Sequence, residues 1–273
     1  MSDPIMYDMH MHTPLCKHAQ DLPVDYAAHA LSQGLKGITF TCHNPMPNRF
    51  SHHVRMEMEQ WDEYLRIVRE AQDEYKGRLD VQIGLECDYY PGYEDFVQGQ
   101  TKWIDFDYIL GSIHPHLGEY RKDFWQEEPI DNVKKYFDLL AESAELGCFD
   151  CLAHPDLIKN MLVKFWDLDA FMPIIKESLD RIAETGVAME LNTSGIYKSL
   201  SEMNPSIDML AEMNKRNIPV VIGSDSHIST RVADLFPDAL NALETAGYEN
   251  ISYFKQHERH DIKITDARNS LTK

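Results

Sequence analysis

Ile5-Met6-Tyr7-Asp8-Met9-His10-Met11-His12-Thr13 joins an apolar run to two histidines at i and i+2, with a carboxylate just before them. Residues two apart on a strand share a face, so both imidazoles enter one space at the strand's end. His18 follows six residues after His12. Imidazole and carboxylate are metal-ligand types, but an isolated pair of this kind arises by chance in many chains. Its meaning depends on what the rest of the chain supplies.

Working outward, short β-rich apolar runs recur at 5–9, 37–41, 81–86, 108–111, 149–153, 187–191 and 220–223. Amphipathic helical patterns lie between them at 24–33, 55–75, 131–146, 169–184, 206–216 and 231–245, with a shorter piece near 93–98. Gly34, Gly77, Gly147 and Gly186 stand where several of these patterns stop, as helix ends favour. A final weak strand is expected at 251–254. Strict βα alternation predicts parallel strands joined by helical crossovers. Seven repeats without a linker-like stretch predict one closed, barrel-like α/β domain over residues 1–273. An open, doubly wound sheet is the alternative that this pattern leaves.

Placed on these strands, the ligand-type residues fall into register. Asp8, His10, His12 and His18 follow the first run, and His43 the second. Glu86 ends the third, His114 follows the fourth, His154 the fifth, and Asp225 and His227 the seventh. In a (β/α) barrel the carboxyl ends of the strands share the face on which active sites are built. Seven of the thirteen histidines, with Glu86 and Asp225, thus converge on one rim. One metal takes three or four protein ligands, so nine imply two or three metals. His116 lies near the same rim, whereas His29, His52, His53, His257 and His260 fall in helical, loop or tail contexts and read as structural or solvated.

Composition bounds the partners. At 43% hydrophobic and 26% charged residues the chain is of the soluble globular class. A net charge of −19 argues against an extended nucleic-acid interface and against binding to an anionic membrane. Clustered divalent cations would let a small anion bind in spite of that charge. No segment approaches eighteen apolar residues, and the acidic N-terminus lacks a secretory pattern, so a cytoplasmic protein is expected. Five cysteines without a repeated spacing suggest buried reduced thiols, and Cys148-Phe-Asp-Cys151 has no second CxxC to complete a zinc site. The chain carries no recognisable signal of its oligomeric state.

In order, DMHMHT (8–13), His18, TCHNP (41–45), GLECDY (84–89), LGSIH (110–114), LAHPD (152–156), ELNTSG (190–195) and GSDSH (223–227) cover nearly the whole chain. This set resembles the polymerase and histidinol phosphatase (PHP) family, most closely its stand-alone histidinol-phosphate phosphatases. The resemblance implies a distorted (β/α)7 TIM-like barrel with three divalent metal ions, zinc, iron or manganese. It assigns His10, His12, Glu86 and Asp225 to one metal, with Glu86 bridging to a second held by His114 and His154. His18, His43 and His227 would hold the third, with Asp8 orienting the cluster from behind. Asp8, Glu86, Asp225 and His227 are the residues on which catalysis would rest.

The activity so implied is hydrolysis of a phosphomonoester, L-histidinol phosphate to L-histidinol and phosphate, by a metal-bridging hydroxide. A small phosphorylated substrate is the expected partner. Lys159, Lys198 and Arg231, each after a strand, are candidate phosphate contacts, with Arg49 and Arg121 behind them. Histidinol phosphatases of the family often carry an arginine just after NTSG. This chain reads Ile196-Tyr197-Lys198, which leaves Lys198 to supply a point charge. Loop 116–128, with Tyr120, Asp123 and Trp125, is a candidate wall for the leaving group. Two other readings are a family member acting on another small or nucleotide-derived phosphate ester, and a non-catalytic metal-binding regulatory domain.

Overall fold

The structure is a computed structural model that describes residues 4–271. Nine strands form one sheet in chain order: β1 (Tyr7–Met11), β2 (Gly37–Phe40), β3 (Asp80–Asp88), β4 (Tyr108–Ser112), β5 (Cys151–Leu152), β6 (Ala188–Asn192), β7 (Val220–Gly223), β8 (Asn250–Lys255) and β9 (Glu258–Lys263). The first eight pair in parallel, and β9 returns antiparallel along β8.

The helices follow from spacing and end signals. In α2 (Trp61–Tyr75), Tyr64, Leu65, Ile67, Val68, Ala71 and Tyr75 are buried, the stripe expected of a helix laid on a sheet. α6 (Leu168–Thr185) starts where the Asp167 side chain accepts the Ala170 N–H at 3.1 Å, and stops at Gly186, whose φ of 75° ends the helix in the left-handed region.

The first and seventh strands meet. His12 N–H donates to Ser226 O at 2.9 Å and Ser226 N–H to His10 O at 3.3 Å, which joins β1 to the stretch leaving β7. At the other end of β1, Tyr7 stacks on Tyr253 of β8 with ring centroids 4.2 Å apart. The fold is thus the expected distorted barrel: β1 touches β7 at the carboxyl-end rim and β8 further down. Tyr7, Met9, Tyr108, Leu110, Cys151, Ala153, Ala188, Val221 and Phe254 form one buried cluster, and the helices pack around the sheet in a second, larger one.

The β1–β2 pairing shifts register between Asp8 and Met11. Successive side chains on a regular strand point to opposite faces, yet Met9 joins the cluster above while His10, its neighbour, meets Glu86 and Glu190 of other strands. The irregularity accommodates both, as a bulge does.

The expected weak strand is β8. The partner strand β9 and α9 (Ile264–Leu271) were not legible, because Glu258–Lys263 is charged and almost wholly exposed and carries no apolar alternation. Loop 116–128 contains a short helix, α4 (Gly118–Phe124).

Gly37 shows how tightly β1, β2 and β3 approach, since a Cβ there would overlap the Tyr7 ring and the Asp80 carbonyl oxygen. Gly37→Ala is expected to destabilise the fold by about 1–3 kcal/mol, read as a lower midpoint in urea unfolding with an unchanged slope.

Candidate metal centre

Glu86, buried near the end of β3, is the hub on which the strand ends converge. Its Oε1 lies 3.0 Å from His154 Nε2 and 3.3 Å from His114 Nε2. Its Oε2 faces His43 Nδ1 at 2.8 Å and the Nε2 atoms of His10 and His12 at 3.5 and 3.6 Å. Asp225 Oδ1 stands 3.2 Å from His12 Nε2 and 3.7 Å from His10 Nε2. Beyond them, His18 Nε2 and His227 Nε2 are 2.9 Å apart, and the His12 ring stacks on His227 at 4.0 Å. All nine residues marked by strand position therefore lie in one cluster. His43 borders both the Glu86 group and the His12–His227 group.

The donor set fits divalent cations. Ring nitrogens face each other at 3.1 Å between His10 and His12 and at 2.9 Å between His18 and His227. Glu86 Oε2 is buried without a hydrogen-bond partner. Facing nitrogens and a buried, unbonded carboxylate oxygen are unfavourable by themselves, and cations among them would satisfy both. Triads His10–His12–Glu86, His43–Glu86–His114 and His12–His43–His227 each have their ligand atoms within 4.8 Å of one another.

Electrostatics divide the histidines. Burial opposes the charge on Glu86, but His43, His114 and His10 hold its pKa well below the usual carboxylate range. Burial likewise opposes protonation of His114, yet Asp88 and Glu86 push it up to about 10. Burial wins at His43, which is pushed down to about 4, and lowers His154 and His227 also. Near neutral pH these three present unprotonated nitrogens, the form a cation binds.

Three carboxylates behind the ligands fix their directions. Asp88 Oδ1 accepts from His114 Nδ1–H and from Ser112 Oγ–H, the latter at 3.0 Å, while Oδ2 takes the buried Arg55 guanidinium. Arg55 is anchored in turn on Asn44 O and Oδ1, both at 3.0 Å. Glu190 Oε1 accepts His10 Nδ1–H at 2.7 Å, and Oε2 accepts His154 N–H at 2.8 Å and Asn192 Nδ2–H at 3.0 Å. Gly223 is glycine for this reason, because a Cβ there would overlap Glu190 Oε1 and crowd His10 Cβ. Asp8 accepts the Ser224 and Ala233 amides, each at 2.9 Å, and burial pushes it up to about 6 against those bonds. It does not line the cavity. His154 and Asp225 hold φ values of 29° and 50°, uncommon for residues with a Cβ and a form of strain often found at functional sites.

A cavity of about 360 Å³ opens on the cluster, lined by His18, His43, Glu86, His114, His154, Asp225 and His227 on one side. Val54, Leu117 and Leu157 form an apolar wall, and Arg55, His116, Ser194, Tyr197, Lys198 and Arg231 complete the lining. Lys198 Nζ is 3.6 Å from Asp225 Oδ2.

Lys159 departs from expectation. It is fully buried outside the cavity lining, and its Nζ donates to Asp156 at 2.9 Å, Glu202 at 2.8 Å and Met203 O at 2.7 Å. Asp156, three residues earlier, captures the ammonium and turns it into a tie between the loops after β5 and β6. The expected leaving-group wall is also corrected. Of loop 116–128 only His116 and Leu117 reach the cavity. Tyr120 is buried, Asp123 accepts Tyr90 O–H at 2.5 Å, and Trp125 packs on the core. Arg49 and Arg121 do not line the cavity.

A parallel barrel whose carboxyl-end rim gathers seven histidines and two carboxylates defines a metal-binding α/β barrel. The family model of the PHP domain matches residues 8–194, and the chain belongs to that family. It is 37% identical over 253 residues to a probable histidinol-phosphatase of Deinococcus radiodurans, covering 90% of this chain and 95% of that protein. It is 30% identical over 250 residues to a histidinol-phosphatase of Bacillus subtilis, covering 81% and 92%. Among solved structures it resembles histidinol phosphate phosphatase from Lactococcus lactis, determined with zinc, L-histidinol and phosphate. There the TM-score is 0.78 at 20% identity, over 93% of this chain and 98% of that one.

Glu190→Gln removes the charged acceptor of His10 Nδ1–H and is expected to weaken metal affinity by about 10–100-fold. Competition with a chelator measures this, with circular dichroism confirming the fold.

Proposed function

We propose that this chain is a metal-dependent phosphatase that hydrolyses L-histidinol phosphate to L-histidinol and phosphate. The observation that carries the reading is the cluster around Glu86, open to a cavity that also holds Lys198 and Arg231. The named relatives support the substrate.

Three divalent cations, of zinc, iron or manganese, match the number of ligands. His10, His12, Glu86 and Asp225 would hold one, Glu86 with His114 and His154 the second, and His18, His43 and His227 the third. Such cations supply water of lowered pKa and neutralise phosphate charge. The chain's own residues do the remaining work. Lys198 and Arg231 bind the phosphoryl oxygens and orient the ester. Val54, Leu117 and Leu157 pack the leaving group and exclude water. Asp88, Glu190 and Asp8 keep the ligands aimed. Ser194, the serine in the cavity lining, donates its hydroxyl to Asp225 Oδ2 at 3.0 Å and has no activating base, so it is not the nucleophile. The negative net charge disfavours a nucleic-acid substrate. No described helix is long and apolar enough to cross a membrane, and the five cysteines are free, in keeping with a reducing cytoplasm.

One observation favours a second reading. Among the described residues, the carboxylates lining the cavity are Glu86 and Asp225, both assigned to metals. A substrate ammonium finds no other anion there, which suits a small phosphate ester with an uncharged leaving group.

Metal-replete protein is expected to release phosphate from L-histidinol phosphate, and His114→Asn to be nearly inactive. A phosphate-release assay over a panel of monoesters decides the substrate. Vigorous turnover of other esters with none of histidinol phosphate would replace the first reading by the second.

A further inference from the structure

Tyr197 is 59% exposed at the cavity rim, where a large aromatic side chain has little burial to justify it. It closes the short turn Thr193–Tyr197 after β6, while Arg231 closes the turn Ser229–Arg231 after β7. The two meet across the rim, with Arg231 Cζ 4.1 Å from the Tyr197 ring centroid. Asp234 joins both. Its Oδ2 accepts Tyr197 O–H at 2.8 Å and lies 3.3 Å from Arg231 Nε. Asp234 is itself held, because its N–H donates to Arg231 O at 3.1 Å and the preceding Ala233 amide is bound to buried Asp8.

From this triangle we propose that Tyr197 and Asp234 are positioning residues that hold the Arg231 guanidinium in place for a phosphoryl group. The inference rests on the phosphatase reading above. A free arginine at a cavity mouth samples many rotamers and would lose that freedom on binding an anion. Stacked on Tyr197 and tied at Nε, Arg231 has lost it beforehand. Its Nη2 has no hydrogen-bond partner, so the donors used by the triangle are not those a phosphate would need. An aromatic face also leaves the guanidinium's charge intact, whereas a carboxylate fork would neutralise it. Lys198 follows Tyr197 in the chain and also lines the cavity, so one turn carries a cation of its own and the platform for a second.

The test uses metal-loaded full chain with Tyr197→Ala, Tyr197→Phe, Asp234→Asn and Arg231→Lys, together with the double variant Tyr197→Ala/Arg231→Lys. Readouts are KM and kcat for a chromogenic phosphate monoester, inhibition by inorganic phosphate, and metal content. Tyr197→Ala is expected to raise KM and weaken phosphate inhibition by about two- to five-fold, the range of an exposed cation–π contact. Its effect on kcat should be smaller and metal content should hold. Tyr197→Phe keeps the ring and should fall between wild type and Tyr197→Ala. In the double variant the tyrosine change should add nothing to Arg231→Lys. Unchanged KM and phosphate inhibition in Tyr197→Ala, or full additivity in the double variant, overturns the proposal. If no ester is turned over, the phosphatase reading fails separately. Calorimetry of phosphate binding to the metal-loaded chain then judges the platform, with weaker binding in Tyr197→Ala supporting it and equal binding refuting it.

Discussion

The ionised carboxylate of Glu86 is the constraint around which this barrel is arranged. A buried carboxylate is strongly disfavoured unless positive charge or hydrogen-bond donors surround it. Here five imidazoles from β1, β2, β4 and β5, or from the loops just beyond them, close around its two oxygens, within 2.8–3.6 Å. The compensation comes from strands far apart in sequence, so the centre exists only when the whole sheet has wound into register. Fold and site are therefore one problem. The Met9–His10 irregularity, the positive φ at His154 and the side-chain-free Gly223 are local departures from regular geometry that serve this convergence.

Around the ligands runs a second set of charges that never reaches the centre. Arg55 is buried with Asp88, Glu190 touches ligands from two strands, and Asp8 fastens the start of the chain to the loop that carries Arg231. Each sets the angle at which an imidazole or a loop meets the centre, a property on which metal affinity depends as much as on ligand identity.

The ligands were legible because a barrel makes position after a strand equivalent to position in space. Each apolar run thus predicted where its next histidine or carboxylate would stand. The same rule misplaced Lys159, because proximity to a strand end cannot tell whether a nearby Asp156 will capture the side chain and turn it inward. Asp88 lay in view two residues after Glu86, and Glu190 within ELNTSG, but their roles need the third dimension. Only there does Asp88 meet an arginine from 33 residues earlier and Glu190 a histidine 180 residues away. The β8–β9 hairpin left little trace because its outer strand is held by backbone bonds alone and its side chains answer only to solvent.

The join between β1 and the end of β7 has a consequence for biosynthesis. His10 and His12 leave the ribosome early, and Asp225 and His227 almost at the end, yet they close on one another across the seam of the barrel. A nascent chain short of residue 227 has most of the ligands but no seam to clasp. Stable metal loading thus becomes a mark of completed synthesis, and a truncated chain would betray itself by a weak hold on its ions.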